Sequence, residues 1–181
     1  PVFNSAAYGF SSGLNTGLLC AAHARGIRVL DTDIVGGMFD GFNLEHNVLG
    51  VENRTAMLEY VELVVHVMVG YGIDGFALDV EGSIYSVLES DAAARAGWTE
   101  FLVTLKSRMV EAVPGAHLSV WCVTTGGPWN RKFKPAQIDA VVSAVDEFLI
   151  MGYSLCSFMV ANAPLPTLAT RFEELIGQPP Y

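Results

Sequence analysis

Asp79 and Glu81 stand two residues apart, at and just beyond the end of the run Ile73–Val80. Strand side chains alternate between faces. On a strand, therefore, Ala77, Asp79 and Glu81 share one face, and Phe76, Leu78 and Val80 share the other. Two carboxyl groups so spaced lie about 7 Å apart along the strand, and side-chain tilt brings them closer. Such proximity raises one pKa, so that one group stays protonated and serves as a general acid. The plain alternative is an acidic strand end facing solvent. A second strand candidate, Glu147–Tyr153, ends in Tyr153, with Met151 on the same face. Trp121 near the end of one strand and Trp129 in the loop after it are candidates for stacking on a flat ligand. Trp98 falls on the apolar stripe of a helix, which assigns it to the core.

The elements that must position these residues alternate along the chain. A short strand near Ala6–Phe10 precedes a helix from Leu14 to Arg25 that stops at Gly26, and Ile27–Leu30 reads as a strand. Asn53–Val69 carries Met57, Val61, Val64, Val65 and Met68 at helical spacing, and Ile73–Val80 follows as a strand. Asp91–Val113 is a third helix, with Trp98, Phe101, Leu102, Leu105 and Met109 on one face; Pro114-Gly115 ends it. His117–Val123 is a strand, Pro135–Val145 a helix, Glu147–Tyr153 a strand and Pro166–Ile176 a closing helix. About five strand–helix units in strict alternation demand an α/β fold with parallel strands and crossover helices. A barrel and a doubly wound sheet both satisfy the pattern, which shows no repeat of residues.

The chain has 181 residues and a formal net charge of −9. That charge argues against nucleic acid and anionic lipid as partners. Half the residues are apolar, yet no run reaches the roughly 20 residues that span a bilayer. Three cysteines, Cys20, Cys122 and Cys156, make no disulfide framework and no metal-ligand spacing, and their apolar neighbours point to packing. His23, His46, His66 and His117 show no ligand spacing either; His66 reads as part of an apolar helix face. Asn53 opens a glycosylation tripeptide but also suits a helix N-cap.

Asp74-Gly75-Phe76-Ala77-Leu78-Asp79-Val80-Glu81 resembles the signature strand of family-18 glycoside hydrolases, Asp-Gly-x-Asp-x-Asp-x-Glu. Ala77 departs from it at the fourth position. Phe148–Ser154 is similar to the later strand of that family that ends Met-x-Tyr-Asp, with Ser154 in place of the aspartate. Leu19–Val29 and Ala161-Asn162-Ala163-Pro164 resemble segments of the di-N-acetylchitobiase branch, and the matches occur in the expected order.

The resemblance implies a (β/α)8 barrel and hydrolysis of β-1,4-linked N-acetylglucosamine, in chitooligosaccharides or the chitobiose core of glycans. In this family the substrate's own acetamide attacks the sugar carbon. Carried over by position, Glu81 is the general acid and then base, Asp79 orients the acetamide, and Tyr153 hydrogen-bonds its oxygen. Met151, Trp121, Trp129 and Asp74 are the substrate-binding candidates. No cofactor and no metal are implied, and the partner is an N-acetylglucosamine oligosaccharide. Location is lysosomal or secreted. Ala77 and Ser154 remove polar support, so reduced activity is expected.

A whole barrel of this kind takes about 250 residues. Residues 1–181 therefore correspond to part of one catalytic domain, strands two to six of the family's barrel, and as an isolated piece would be unstable or self-associating. Two other readings remain open: a chitinase-like protein that binds the sugars without cleaving them, and an inactive barrel fragment.

Overall fold

A computed structural model of the chain describes residues 16–35, 54–80, 87–88, 90–123 and 134–151. In order, these form α1 (Thr16–His23), β1 (Leu30–Val35), α2 (Arg54–Tyr71), β2 (Gly75–Val80), α3 (Ala92–Ala112), β3 (His117–Val123), α4 (Pro135–Ala144) and β4 (Glu147–Met151). The expected strand near Ala6–Phe10 and the helix Pro166–Ile176 lie outside the described residues.

The four strands are parallel and adjacent in chain order, β1-β2-β3-β4. This order decides the choice that periodicity left open. A doubly wound sheet must reverse its strand order at a switch point. Here every step goes the same way, and right-handed crossovers then put every helix on one face. α2 packs on α3 and α3 on α4, as neighbours in a single outer layer. The result is an arc of a (β/α)8-type barrel, with the helices outside.

The core lies between that layer and the outer face of the sheet. Phe76, Leu78 and Val80 from β2, and Leu118 and Val120 from β3, are fully buried there. The five expected positions of α3 are all buried, and Trp98 stacks obliquely on Phe101 with ring centroids 5.5 Å apart. Tyr60 of α2 reaches the same ring at 5.9 Å. Each such side chain contributes roughly 1.5–3 kcal/mol on burial. α2 buries more than the single stripe its spacing suggests, since Tyr60, Leu63 and Val67 join the expected five. Its exposed side is Glu59, Glu62, His66 and Val69, so His66 faces solvent and not the core. Among the described residues no helix is long and apolar enough to cross a membrane.

Local signals explain the boundaries. Gly26 takes the left-handed conformation, φ 68°, that ends α1. The Asp91 side chain accepts the Ala93 amide at 2.8 Å and caps α3. β1 starts at Leu30, later than the apolar run Ile27–Leu30 suggests. The Val29 amide donates to the Asp74 carboxylate at 2.8 Å, which leaves Val29 outside the ladder. The strand then runs through Asp31-Thr32-Asp33, beyond the expected end at Leu30. Cys20 is exposed on α1, where Leu19 is the buried residue, so packing does not explain this cysteine.

Candidate active site

Register places the inner face of the arc residue by residue. Thr32, Ala77, Ser119 and Glu147 form one row across the four strands. Ile34, Asp79, Trp121 and Leu149 form the next row toward the carboxyl ends. Asp79 thus sits between the rest of β2's inner face and the strand end, on the opposite side from Phe76 and Leu78. It is half-buried, and its Oδ1 is closed to solvent.

Trp121 is in register with Asp79 on the neighbouring strand and is half-buried. Its Nε1–H donates to Ser119 Oγ at 3.0 Å. Ser119 is fully buried and donates in turn to Glu147 Oε2 at 3.1 Å. On the far side of Trp121, Leu149 is 41% exposed, a large apolar side chain open to the inner face. A carboxylate, an indole and an apolar step therefore lie side by side across three strands. Ala77, one row below Asp79, is completely buried and offers no polar atom beneath the carboxylate.

Asp74 does not join this group. It precedes β2 at the amino end, about 17 Å from Asp79 along the strand. Its Oδ2 accepts the Val29 amide and His23 Nε2–H, both at 2.8 Å. Burial alone would push its pKa up. The hydrogen bonds from Val29 and His23, with the charges of His23 and Arg28, outweigh that and hold it below the usual carboxylate range. The carboxylate is engaged in joining the start of β2 to the α1–β1 link, not in lining the carboxyl-end face.

Glu81, Trp129 and Tyr153 lie outside the described residues. Met151 ends β4, with its Cα in register with Val123. Among the described residues no group of three or more His, Cys, Asp or Glu side chains could hold a metal ion. Sequence reasoning missed Ser119 and Glu147. Their signal was present in the two-residue period of strands: His117, Ser119 and Trp121 on β3, Glu147, Leu149 and Met151 on β4.

No family model matches the chain, and no curated protein matches it in sequence. Solved structures do resemble it. One is a protein assigned as a sporulation-specific glycosylase, from Bacillus subtilis, 21% identical with a TM-score of 0.62 over 93% of this chain and 54% of that one. Another is the C-terminal domain of a protein assigned as a chitinase, from Desulfitobacterium hafniense DCB-2, 19% identical with a TM-score of 0.64 over 94% and 48%. A third is a chitinase from Rhizomucor miehei, 22% identical with a TM-score of 0.55 over 87% and 48%. The chain spans about half the length of these structures. Its fold is that of a chitinase-type barrel arc.

Proposed function

We propose that this chain is part of a glycosidase that cleaves β-1,4-linked N-acetylglucosamine by substrate assistance. The observation that carries the reading is Asp79, half-buried on the inner face of β2 in a chitinase-type arc, with Glu81 two residues on. Carboxyl ends of barrel strands are where catalytic groups collect.

In this reading the Glu81 carboxyl group gives its proton to the leaving glycosidic oxygen. The acetamide oxygen of the sugar attacks the anomeric carbon as that bond breaks, and no protein nucleophile is required. Asp79 orients the acetamide and balances the positive charge that develops on it. Tyr153 hydrogen-bonds the acetamide oxygen before attack. Glu81, now a carboxylate, then takes a proton from the water that opens the cyclic intermediate and returns the free sugar. Trp121, Trp129 and Met151 contribute apolar surface to the bound sugars. The Ala77 side chain carries no carboxyl or amide group to support Asp79, which favours slow turnover. Secretion or lysosomal delivery suits a protein that meets such glycans.

The test is hydrolysis of a fluorogenic chitobioside at acidic pH by the full-length protein and its Glu81→Gln variant. Release by the parent and a drop of about 10²-fold or more in the variant is expected. Sugar binding with no turnover in either would replace the hydrolase with a carbohydrate-binding protein.

A further inference from the structure

Ser119 is a fully buried polar residue on β3, and its hydroxyl group is used in two directions. An indole N–H is a donor only, and a carboxylate accepts only. The run Trp121 Nε1–H to Ser119 Oγ–H to Glu147 Oε2 therefore has one possible polarity, with distances of 3.0 and 3.1 Å. The negative charge at Glu147 strengthens both links. His117 adds to the anchor, its Nε2 lying 3.7 Å from Glu147 Oε2. The consequence falls on Trp121. With its N–H edge tied back to Ser119, the ring is held against rotation next to Asp79's strand, with Leu149 open on its other flank.

We infer that Ser119 and Glu147 are positioning residues that hold the Trp121 indole as a fixed platform for a pyranose ring of an N-acetylglucosamine oligomer beside Asp79. The inference rests on the glycosidase reading for the identity of the sugar. A pyranose presents one C–H-rich face, and an immobilised aromatic ring binds it without first having to order itself. Trp121 touches the sugar; Ser119 and Glu147 act through Trp121.

The test compares Ser119→Ala, Glu147→Ala, Glu147→Gln and Trp121→Phe in the full-length protein, each checked for a cooperative melt. Gln still accepts from Ser119 but carries no charge, so it separates the hydrogen bond from the charge of the carboxylate. The expected result is a rise in KM of about fivefold for Ser119→Ala and Glu147→Ala, the equivalent of one lost hydrogen bond. In these variants kcat should stay within about twofold of the parent, and Glu147→Gln should restore most of the KM. The indole N–H resonance that disappears in Trp121→Phe should shift in Ser119→Ala. An unchanged KM in a folded Ser119→Ala variant, or a fall in kcat alone, overturns the inference.

Calorimetric titration with chitotetraose in the Glu81→Gln background keeps the two readings apart. Weaker binding on Ser119→Ala, in a protein whose parent does not hydrolyse, leaves the platform standing and removes the glycosidase. Hydrolysis by the parent with binding indifferent to all four variants does the reverse. No binding by the parent overturns both.

Discussion

The two ends of β2 carry one carboxylate each, and their surroundings give them different work. Asp74, at the amino end, is occupied by the Val29 amide and His23. Asp79, toward the carboxyl end, shares the inner face with Trp121. The amino-end arrangement recurs two strands on. Asp146, just before β4, accepts the Leu118 amide at 2.7 Å and pairs with Lys106 of α3. The backbones match as well: Asp74 N–H donates to Val29 O and Asp146 N–H to Leu118 O, each at 2.9 Å. Ile73-Asp74-Gly75-Phe76 and Val145-Asp146-Glu147-Phe148 are thus one device used twice, an aspartate that locks a strand start to its predecessor. The aspartates just before β2 and β4 join each strand start to its predecessor, whereas Asp79 stands toward the carboxyl end on the inner face.

The largest effect should come from breaking the carboxyl end. Asp79→Asn keeps the size of the side chain and removes its charge. Turnover should fall by about 10²-fold or more while the melting temperature hardly moves. A variant that melts much earlier and turns over normally once folded would place Asp79 with the structural aspartates.

The amino end should give the opposite pattern. Asp74→Ala and Asp146→Ala should each cost about 1 kcal/mol of stability, a modest figure for part-exposed carboxylates, with kcat unchanged. Both groups have depressed pKa values. At Asp146 burial pushes up, but hydrogen bonds from Lys106 and Leu118 and the nearby charges of Lys106 and His117 outweigh it. A depressed carboxylate stabilises the fold fully above its unfolded pKa of about 3.9 and loses that contribution as pH falls through the folded value. The double variant should therefore lose less stability than the parent between about pH 4 and lower pH, as read from urea midpoints. An acid limb as steep as the parent's would assign the acid sensitivity to other groups.

The smallest effect concerns Asp31, in register with Phe76. Burial pushes its pKa up, and the Thr32 amide offsets only part of that. A raised carboxylate destabilises the fold at neutral pH and less so as pH falls through its folded value. Asp31→Asn keeps the acceptor for Thr32 and removes the charge, so the melting temperature should rise slightly at pH 7 and change little at pH 4. A fall at pH 7 would show that the charge is satisfied by a partner.

Much of this was legible in the residues. The stripe on α3, the termination of α1 at Gly26 and the two-residue alternation of β2 all follow from local rules, and each reappears in the fold. The continuation of β1 past Leu30 was missed because two aspartates sit within the strand, and a strand is usually recognised by apolar residues. Glycine at position 75 looks like part of a turn. In the fold it is required by close approach, since a Cβ there would lie 2.1 Å from the His117 carbonyl oxygen. Arg28 Nη1 then donates to His117 Nδ1 at 3.3 Å, between strands that flank Gly75 on either side. The site divided in the same way. Asp79 and Trp121 were each recognisable on their own strands, but nothing in the sequence said that they are register partners.

The sequence by itself determined the alternation of strands and helices, because side-chain periodicity is a local property that each segment carries alone. It also determined that Asp79 and Glu81 stand two residues apart, at and just beyond the end of an apolar run. Only the tertiary structure decided that the strands run in unbroken order, that Asp74 belongs to a structural lock, and that Ser119 ties Trp121 to Glu147. Those outcomes depend on which strand lies beside which and in what register, and register is set by contacts between residues as far apart as Val29 and Asp74.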